Sequence, residues 1–333
     1  MTSEKKILPS DKKRKRLIRI KAKTNPNYGK KPDEQSVKEL LCNGVINLDK
    51  PEGPTSHQVD AWIKKILNEE KIGHGGTLDP NATGVLPIAI ADATKVLPAL
   101  LPAGKEYVAI MNLHKKTESK NIKKTCEKMV GEITQLPPVR SAVKRVHRKR
   151  HIYYFDIIEI ENIKVLFRVG CESGTYVRTL CVDIGKKLKT GAHLSELRRT
   201  RVGHLREEDS VNLQDLKDAY TFWREDKEEK SIRKIIKPME YFLKHLPKII
   251  IRDSAVDAIC HGANLALPGV AELDTDIKKD QLIAVMTIKG EAVALMNTLM
   301  TTEEIIQKEK GFCAKTERVL MKKNTYPSIW KKN

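Results

Sequence analysis

The chain has 333 residues, enough for two domains and a substantial core, and its 62 Lys and Arg residues against 43 acids give a formal net charge of +19. No run approaches the roughly 20 apolar residues that span a bilayer, and the lysine-rich start lacks the apolar core of a signal peptide. The six scattered cysteines form no Cys-x-x-Cys pair, which argues against a zinc knuckle and a disulfide framework.

Most of the net positive charge lies in two stretches. Residues 1–31 hold twelve Lys/Arg and two acids, and residues 137–151 hold six Lys/Arg and no acid. A merely soluble surface would intersperse the signs, so this pattern predicts a nucleic-acid partner. Aromatic residues make up only 5% of the chain, so stacking along an extended single strand is not expected to be the main mode of binding. Residues 1–31 are expected to form an arm that is disordered or is ordered only against another surface. A simple solubilising tail is the alternative.

A strand and a helix are expected first in the folded part of the chain. Residues 44–50 are typical of a short strand that ends in a turn at Pro51. Lys50 then lies beside a helix start, where an anion could bind, although a solvated lysine is the default. The apolar residues of 56–68 recur at helical spacing after Thr55, the predicted N-cap.

Residues 72–88 contain a dense set of turn-forming residues. Four glycines and two prolines surround a single acid, Asp79. Because glycine permits positive φ and proline fixes φ, this composition predicts a shaped loop that presents Asp79, and not a helix or a central strand. On the loop alone, an Asx-turn ahead of Pro80 explains Asp79 better than catalysis does.

The middle of the chain predicts a sheet with helices. Apolar and alternating patterns indicate strands at 105–113, 153–160 and 163–171, a helix within 115–130 and a projecting loop at 137–151. Tyr107 lies at the start of the first of these strands. A helix is expected over 177–188, with Ser173 or Thr175 as its cap. Arg178 falls in its first turn, an unfavourable place for a cation unless it reaches a carboxylate or phosphate.

The last part of the chain contributes an arginine cluster and a second domain. Arg198, Arg199 and Arg201 suit planar, bidentate contacts to phosphate, and a solvated charge cluster is the alternative. Residues 206–245 are predicted to be helical. Beyond Pro247, short strands separated by glycine and polar turns predict a small β-barrel of about 80 residues.

Four motifs occur in the order that a known family has them. Residues 44–51, 74–84, 105–107 and 174–180 resemble its first, aspartate, tyrosine and arginine motifs. Over residues 38–330 the sequence resembles the TruB family of pseudouridine synthases. Within it, the sequence is similar to the archaeal and eukaryotic dyskerin type, the catalytic protein of box H/ACA guide-RNA particles. Residues 258–270 resemble part of a PUA domain, an RNA-binding β-barrel.

The resemblance implies a fold class and a division into parts. The expected fold is α+β, the pseudouridine synthase fold with a central mixed, mainly antiparallel sheet flanked by helices, plus a C-terminal PUA-type small β-barrel. The expected parts are a basic arm at 1–37, a catalytic domain at 38–245 and a PUA domain at 246–333. The resemblance implies no cofactor and no metal.

The resemblance assigns the chemistry to three residues. Asp79 is expected to act on the ribose, and both attack on the sugar and abstraction of a proton from it stay open. Arg178 is expected to pair with Asp79, and this pairing would hold its charge and orientation. Tyr107 is expected to stack on the target base. It is also a candidate for the group that moves the C5 proton.

Further residues are expected to bind the substrate. Lys50, His74 and Leu180 are assigned to the nucleotide pocket, with bracing of the site as an alternative for Lys50 and a structural role for His74. RNA contacts are expected from Arg140, Lys144 and Arg145 on the projecting loop, from Arg198 and Arg199, and from Gly262 and Gly269 in the PUA-like domain.

The resemblance implies an isomerase that converts uridine to pseudouridine, expected in ribosomal RNA and directed by a box H/ACA guide RNA. Its expected partners are guide RNA, substrate RNA and the small accessory proteins of the particle, with no membrane. A stand-alone tRNA pseudouridine synthase and a non-catalytic RNA-binding scaffold are the alternatives. The expected location is the cytoplasm of an archaeal cell, or the nucleolus if the source is a eukaryote.

Overall fold

A computed structural model describes residues 7–138 and 144–328 of the chain. The strands of these ranges are β1 (Arg16–Ile18), β2 (Gly44–Lys50), β3 (Ile72–His74), β4 (Ala82–Ile90), β5 (Lys105–Leu113), β6 (Gly131–Gln135), β7 (Arg148–Glu161), β8 (Lys164–Cys171), β9 (Ala192–Val202), β10 (Leu205–Arg206), β11 (Lys237–Pro238), β12 (Lys248–Ile251), β13 (Leu265–Ala266), β14 (Val270–Asp274), β15 (Leu282–Thr287), β16 (Ala292–Thr298) and β17 (Phe312–Val319). The α-helices are α1 (Val37–Asn43), α2 (Ser56–Leu67), α3 (Ser119–Glu127), α4 (Val177–Leu188), α5 (Leu213–Asp226), α6 (Lys230–Ile235), α7 (Asp253–Cys260) and α8 (Thr302–Gln307). None of the helices in these two ranges has the length and apolar character needed to cross a bilayer.

The larger sheet is mixed and has ten strands. Hydrogen-bonded neighbours follow the order β11-β2-β4-β9-β5-β8-β7-β6, with β3 added to β4 and β10 added to β9. The β4–β9 pair is parallel, and the other strand pairs described in this sheet are antiparallel. Helices α3 and α4 cover β5, β7 and β8, while α1, α2, α5 and α6 cover β2 and β4. The predicted α+β fold with a mainly antiparallel sheet is confirmed.

The smaller sheet belongs to the C-terminal domain and takes in a piece of the N-terminal arm. Its order is β1-β14-β12-β15-β16-β17-β13. Strand β1 pairs with β14, with Arg16 opposite Asp274, and the guanidinium of Arg19 donates to the carbonyls of Leu267 and Ile305. The described part of the arm is therefore ordered against another surface. The residue bounds of the three predicted parts stay a prediction.

The stretch 72–88 is only partly the loop that its composition predicts. Residues 75–81 form a loop, but Ala82–Ile90 is a central strand, which corrects the expectation. Eight of its nine residues are buried, and burial outweighs local turn preference. Gly84 has a φ of +99°, and a Cβ there would lie 2.2 Å from the carbonyl oxygen of Arg199. Glycine at this position therefore lets β4 and β9 approach each other.

Two predicted helices are confirmed, but only one has its predicted cap. The hydroxyl of Thr55 accepts from the Gln58 amide at 3.1 Å, and the Gln58 side chain accepts from the Thr55 amide at 2.8 Å. Helix α4 instead begins after Tyr176, whose side chain forms no cap. The caps predicted at Ser173 or Thr175 are therefore wrong. The Thr175 hydroxyl donates at 2.7 Å to a carbonyl three residues earlier.

One apolar cluster joins the two sheets. It takes side chains from the larger sheet, from the segment that leads to β12 and from the smaller sheet: Val85, Val202, Phe242, Leu246, Ala284 and Leu295 are among its buried members. Because these side chains exclude water between both sheets, the catalytic part and the C-terminal domain pack directly on each other.

Two histidines beside this cluster, the buried His245 and the partly buried His204, predict a pH-dependent stability. The rings of His204 and His245 stack with centroids 5.5 Å apart, and burial lowers the pKa of His204 to about 3 and that of His245 to about 4. Below a pH of about 6.5 the unfolded chain takes up protons here before the folded chain does, so stability falls as the pH drops from about 6.5 toward 4. We expect a smaller decline in a His204→Phe variant.

Thermal unfolding followed between neutral pH and pH 4 tests this expectation. His193→Phe is the matched control, because His193 is exposed and lies on another part of the sheet. It should keep the pH dependence of the natural protein. If His204→Phe also kept it, the histidine pair would not be the group that takes up protons on unfolding.

Candidate active site

The loop at residues 75–81 is held by the buried guanidinium of Arg199. This side chain, on β9, donates to the carbonyls of Gly76 and Val85, each at 2.8 Å, and to that of Thr77 at 3.4 Å. Arg199 is only 2% exposed. Its donors satisfy backbone oxygens of the loop and of β4, which gives Arg199 a structural role, and the phosphate contact predicted for it stays a prediction.

Lys50 holds the other end of the same loop. Its ammonium donates to the carbonyls of Pro80 at 3.1 Å and Ala82 at 2.9 Å, and the residue is fully buried. Burial lowers the pKa of Lys50, and the negative charge of Asp79 opposes that shift. The ammonium of Lys50 therefore contacts the backbone of the loop. It braces the site, the alternative expected for it.

Ser56 fixes the middle of the loop and was missed from the sequence. The amide of Leu78 donates to the Ser56 hydroxyl at 2.9 Å, and that hydroxyl donates to the Leu78 carbonyl at 3.1 Å. Ser56 is the first residue of α2 and is fully buried. The only available signal was its place next to the helix cap. Ser56 at Leu78 and Lys50 at Pro80 together fix the backbone on both sides of Asp79.

Asp79 and Arg178 form an ion pair at the open side of the loop. The Arg178 guanidinium donates to a carboxylate oxygen of Asp79 at 2.8 Å, although the two residues are 99 positions apart in the chain. Arg178 is the second residue of α4. Both side chains are more than half exposed, so solvent screens the pair as long as nothing covers it. The contact predicted between these two residues is present.

Tyr107 lies on β5, directly across the sheet from Arg199. Its side chain is partly buried. Burial raises the pKa of Tyr107, while the positive charge of Arg199 opposes the shift. The phenol is therefore protonated at neutral pH, which makes it a hydrogen-bond donor and an apolar face.

Lys105, two residues earlier on β5, was not singled out from the sequence. Its ammonium donates to the carbonyls of Leu101 and Ala103, each at 2.8 Å, and to the hydroxyl of Ser173 at 3.0 Å. Burial, with a smaller effect of the Arg199 charge, lowers the pKa of Lys105 to about 7. Lys105 ties the turn before β5 to the turn before α4.

Five of these residues line one cleft of about 490 Å³, from which Lys50 and Ser56 are absent. Its polar side chains include Asp79, Lys105, Tyr107, Arg178 and Arg199, and its apolar side chains include Leu101, Val177, Leu194 and Leu197. A few converging polar groups on an apolar wall are typical of a small-ligand pocket. Among the described lining residues Asp79 is the only carboxylate, and no histidine or cysteine accompanies it, so the cleft offers a poor donor set for a metal.

The three residues predicted to contact substrate, Lys50, His74 and Leu180, do not line the cleft. The Nδ1 atom of His74 is 2.6 Å from an oxygen of Asp60, and its Nε2 atom is 3.2 Å from the Thr77 hydroxyl. His74 therefore supports the loop from behind, which agrees with the structural alternative. Leu180 is fully buried in the apolar cluster under α4, and the substrate contact predicted for it stays a prediction.

Arg198 is occupied by carboxylates. Its guanidinium donates to both oxygens of Asp49, at 3.0 Å and 2.9 Å, and to Glu207 at 2.6 Å. These two acids neutralise the charge and fill the planar face that a phosphate would need. The phosphate contact predicted for Arg198 stays a prediction.

The projecting loop is described only in part. Arg140 lies outside the described residues. Lys144 and Arg145 are exposed, and Pro138, on the other side of the gap, lines the cleft. Their predicted contact with RNA stays a prediction.

The two glycines expected to bind RNA lie at either side of a turn region in the C-terminal domain. Gly262 follows α7 with a φ of +90° and open space where a Cβ would lie. At Gly269 a Cβ would come within 2.9 Å of the Ala255 Cβ, which is a packing reason for glycine. RNA contact at either glycine stays a prediction.

Four family models match consecutive parts of this chain. They describe the DKCLD (NUC011) domain at residues 5–60, the TruB family pseudouridylate synthase N-terminal domain at 64–177, the tRNA pseudouridylate synthase B C-terminal domain at 178–244 and the PUA domain at 247–320. A curated relative from Methanopyrus kandleri, named probable tRNA pseudouridine synthase B, is 52% identical over 323 residues, which cover 97% of this chain and 96% of the relative. The chain belongs to the TruB family of pseudouridine synthases.

Solved structures agree with this membership. The TruB-family chain is similar to one in the crystal structure of a Cbf5-Nop10-Gar1 complex, with a TM-score of 0.93 and 53% identity over 97% of this chain and 98% of that chain. It is also similar to a chain in the structure of an H/ACA RNP bound to a substrate RNA containing 2′-deoxyuridine, with a TM-score of 0.91 and 51% identity over 97% and 100% of the two chains. As a TruB-family member with a PUA domain, the protein is an RNA pseudouridine synthase, an isomerase.

Proposed function

We propose that this pseudouridine synthase is the catalytic subunit of a guide-RNA-directed H/ACA particle. The observation that carries the proposal is the likeness, over nearly the whole chain, to a chain in an H/ACA RNP bound to a substrate RNA. The cleft supports the proposal, because the Asp79–Arg178 ion pair is exposed and a bound nucleotide would cover the pair. Small proteins of the Nop10 and Gar1 kind are the proposed protein partners, since a similar chain forms a complex with both.

The bonds that break and form in the reaction define the chemistry that the cleft must support. The bond between N1 and C1′ of uridine breaks, a bond between C5 and C1′ forms, a proton leaves C5 and another is taken up at N1. The change is an isomerisation without net oxidation, so it needs no redox cofactor. A nucleotide flipped out of an RNA helix can enter a cleft of this size and be held by stacking and hydrogen bonds.

Asp79 is the group that we propose acts on the ribose. Its carboxylate is presented by a loop whose backbone is fixed on both sides, and Arg178 holds one carboxylate oxygen at 2.8 Å. Attack on the sugar and abstraction of a proton from it both require the ionised acid. A bound base would exclude water from the exposed ion pair and strengthen it.

Tyr107 is proposed as the stacking surface for the base. Because burial raises the pKa of Tyr107, its phenol is a proton donor at neutral pH and a poor base for the C5 proton. The apolar side chains of Val177 and Leu194 complete the wall of the cleft. Lys144 and Arg145 are proposed to contact phosphates of the RNA near the cleft mouth. The sequence of the target RNA is proposed to be recognised by base pairing with the guide RNA.

Arg178→Lys is expected to lower kcat by roughly tenfold, since lysine keeps the charge and loses the planar fork that orients Asp79. Single-turnover measurement on saturating RNA separates this loss from RNA binding. Arg224→Lys, on the exposed face of α5, is the matched control and should behave as the natural protein does. An Arg178→Lys variant with an unchanged kcat would show that orientation by Arg178 does not limit the reaction.

Reconstitution tests the proposal against its main alternative. The alternative is a stand-alone tRNA pseudouridine synthase, which the name of the Methanopyrus kandleri relative favours. The purified protein is assayed with the two accessory proteins and a guide RNA, on a matched target, on a target that mismatches the guide and on tRNA without guide. We expect modification of the matched target alone. Full activity on guide-free tRNA, with none on the guided target, would overturn the proposal.

The proposed location follows from the proposed partners. An RNA-modifying particle of an archaeal cell works in the cytoplasm, and one of a eukaryotic cell works in the nucleolus. The similarity to a chain of an archaeal box H/ACA sRNP complex supports the cytoplasm. Immunolocalisation together with an H/ACA guide RNA is the direct test.

A further inference from the structure

Three metal-binding side chains meet behind the catalytic loop. His57 and Asp60 lie one turn apart at the start of α2, and His74 ends β3. An oxygen of Asp60 is 2.6 Å from Nδ1 of His74 and 4.0 Å from Nδ1 of His57. The three candidate ligand atoms all lie within 4.8 Å of one another. This group is separate from the cleft that holds Asp79.

Burial makes the Asp60 carboxylate an unusual member of this group. The residue is 8% exposed, and its second oxygen, Oδ1, is buried without a hydrogen-bond partner among the described residues. Buried carboxylates are normally paired on both oxygens or bound to a metal. The His74 side chain is 8% exposed as well, whereas that of His57 is 84% exposed and free to turn. Asp60 and His74 are thus held in place by burial, and the exposed His57 can complete the site around an ion.

The donor set selects the class of ion. Two imidazoles and one carboxylate suit Zn²⁺ and its neighbours such as Co²⁺, whereas Mg²⁺ and Ca²⁺ prefer oxygen ligands alone. A tetrahedral ion with ligands at about 2.0–2.1 Å needs donor atoms roughly 3.3 Å apart, so the 2.6 Å and 4.0 Å separations require small movements in opposite directions.

We propose that His57, Asp60 and His74 bind a divalent transition-metal ion of the Zn²⁺ class. With Nδ1 of His74 on the ion, its Nε2 atom carries the proton and donates to the Thr77 hydroxyl, now 3.2 Å away. Thr77 stands two residues before Asp79 in the catalytic loop. The ion therefore stiffens the loop from behind and takes no part in the reaction at Asp79, so the proposal does not depend on guide RNA or substrate.

Calorimetric titration of the metal-stripped full chain with Zn²⁺ tests the site. The natural protein should bind one equivalent of Zn²⁺, and His57→Ala should bind it with an affinity at least about tenfold weaker. His57 is exposed and outside the cleft, so this variant should fold and keep the activity of the stripped protein. The control is His114→Ala/His193→Ala, which removes another exposed imidazole pair, 3.0 Å apart, and should leave the equivalent in place. Equal Zn²⁺ binding by the natural protein and His57→Ala would overturn the assignment.

Two further measurements distinguish this site from other sources of binding. Cys42 is an exposed thiol, so Co²⁺ spectra are recorded in a Cys42→Ser background, where an absorption band that disappears in His57→Ala reports the imidazole site. Amide hydrogen exchange then reports the loop. Zn²⁺ should slow exchange over residues 75–81 in the natural protein and leave it unchanged in His57→Ala. Binding without slower exchange would refute the effect on the loop.

Discussion

Replacing Asp79 with asparagine is expected to abolish pseudouridine formation, with a loss of at least about 10⁴-fold, because the neutral amide can neither attack the ribose nor remove a proton. The side chain is 58% exposed and its ion pair with Arg178 is screened, so stability should change by less than about 1 kcal/mol. RNA binding should persist, because removing one negative charge from the protein does not weaken its attraction to a polyanion. Tritium release from C5 of labelled uridine measures the reaction.

The control for this variant is another exposed acid. Asp226→Asn removes a carboxylate at the end of α5, outside the cleft, and should leave the rate unchanged. RNA binding by both variants is compared at one fixed salt concentration, because phosphate contacts weaken steeply with salt. Activity of Asp79→Asn within tenfold of the natural protein would move the reaction centre to another residue.

Arg199→Met is expected to damage both stability and activity. Methionine fills part of the space but leaves the buried carbonyls of Gly76 and Val85 without donors, at about 1–3 kcal/mol each. A total near 3 kcal/mol would lower the thermal midpoint by roughly 6–12 °C. At a temperature where the variant stays folded, displacement of the loop that carries Asp79 should still reduce kcat by roughly 10²-fold.

Arg206→Met provides the comparison for this second variant. Arg206 lies on β10, next to β9, and is exposed, so the same chemical change should cost little in stability or rate. Circular dichroism and thermal unfolding of both variants, followed by single-turnover rates, give the two effects separately. A stable Arg199→Met variant with normal kcat would mean that the loop does not need its guanidinium clamp.

The structure separates two arginines that the sequence presents as equals. Arg198 and Arg199 are adjacent, and both were expected to contact phosphate. On strand β9 neighbouring side chains point to opposite faces, so Arg199 turns inward beneath the loop while Arg198 meets Asp49 and Glu207. The period-two pattern could have separated them, but only if the segment had been predicted as a strand. Its charge suggested an exposed cluster instead.

Local signals in the sequence determined much of this protein. Helix α2 with its Thr55 cap, the strand at 105–113 and the helix at 177–188 follow from residue spacing and capping, which act within a few residues. The four motifs indicated the family. The place of Arg178 in the first turn of α4 indicated a carboxylate or phosphate partner, and the resemblance named Asp79 as that partner.

Only the tertiary structure decided which cations are buried and serve the fold and which stay exposed at the cleft. A lysine or arginine becomes buried when distant segments bring backbone carbonyls to it, as Pro80 and Ala82 do for Lys50. The same holds for Ala82–Ile90, where burial between two neighbouring strands overrides glycine and proline. These outcomes depend on contacts between residues far apart in the chain, which local spacing does not encode.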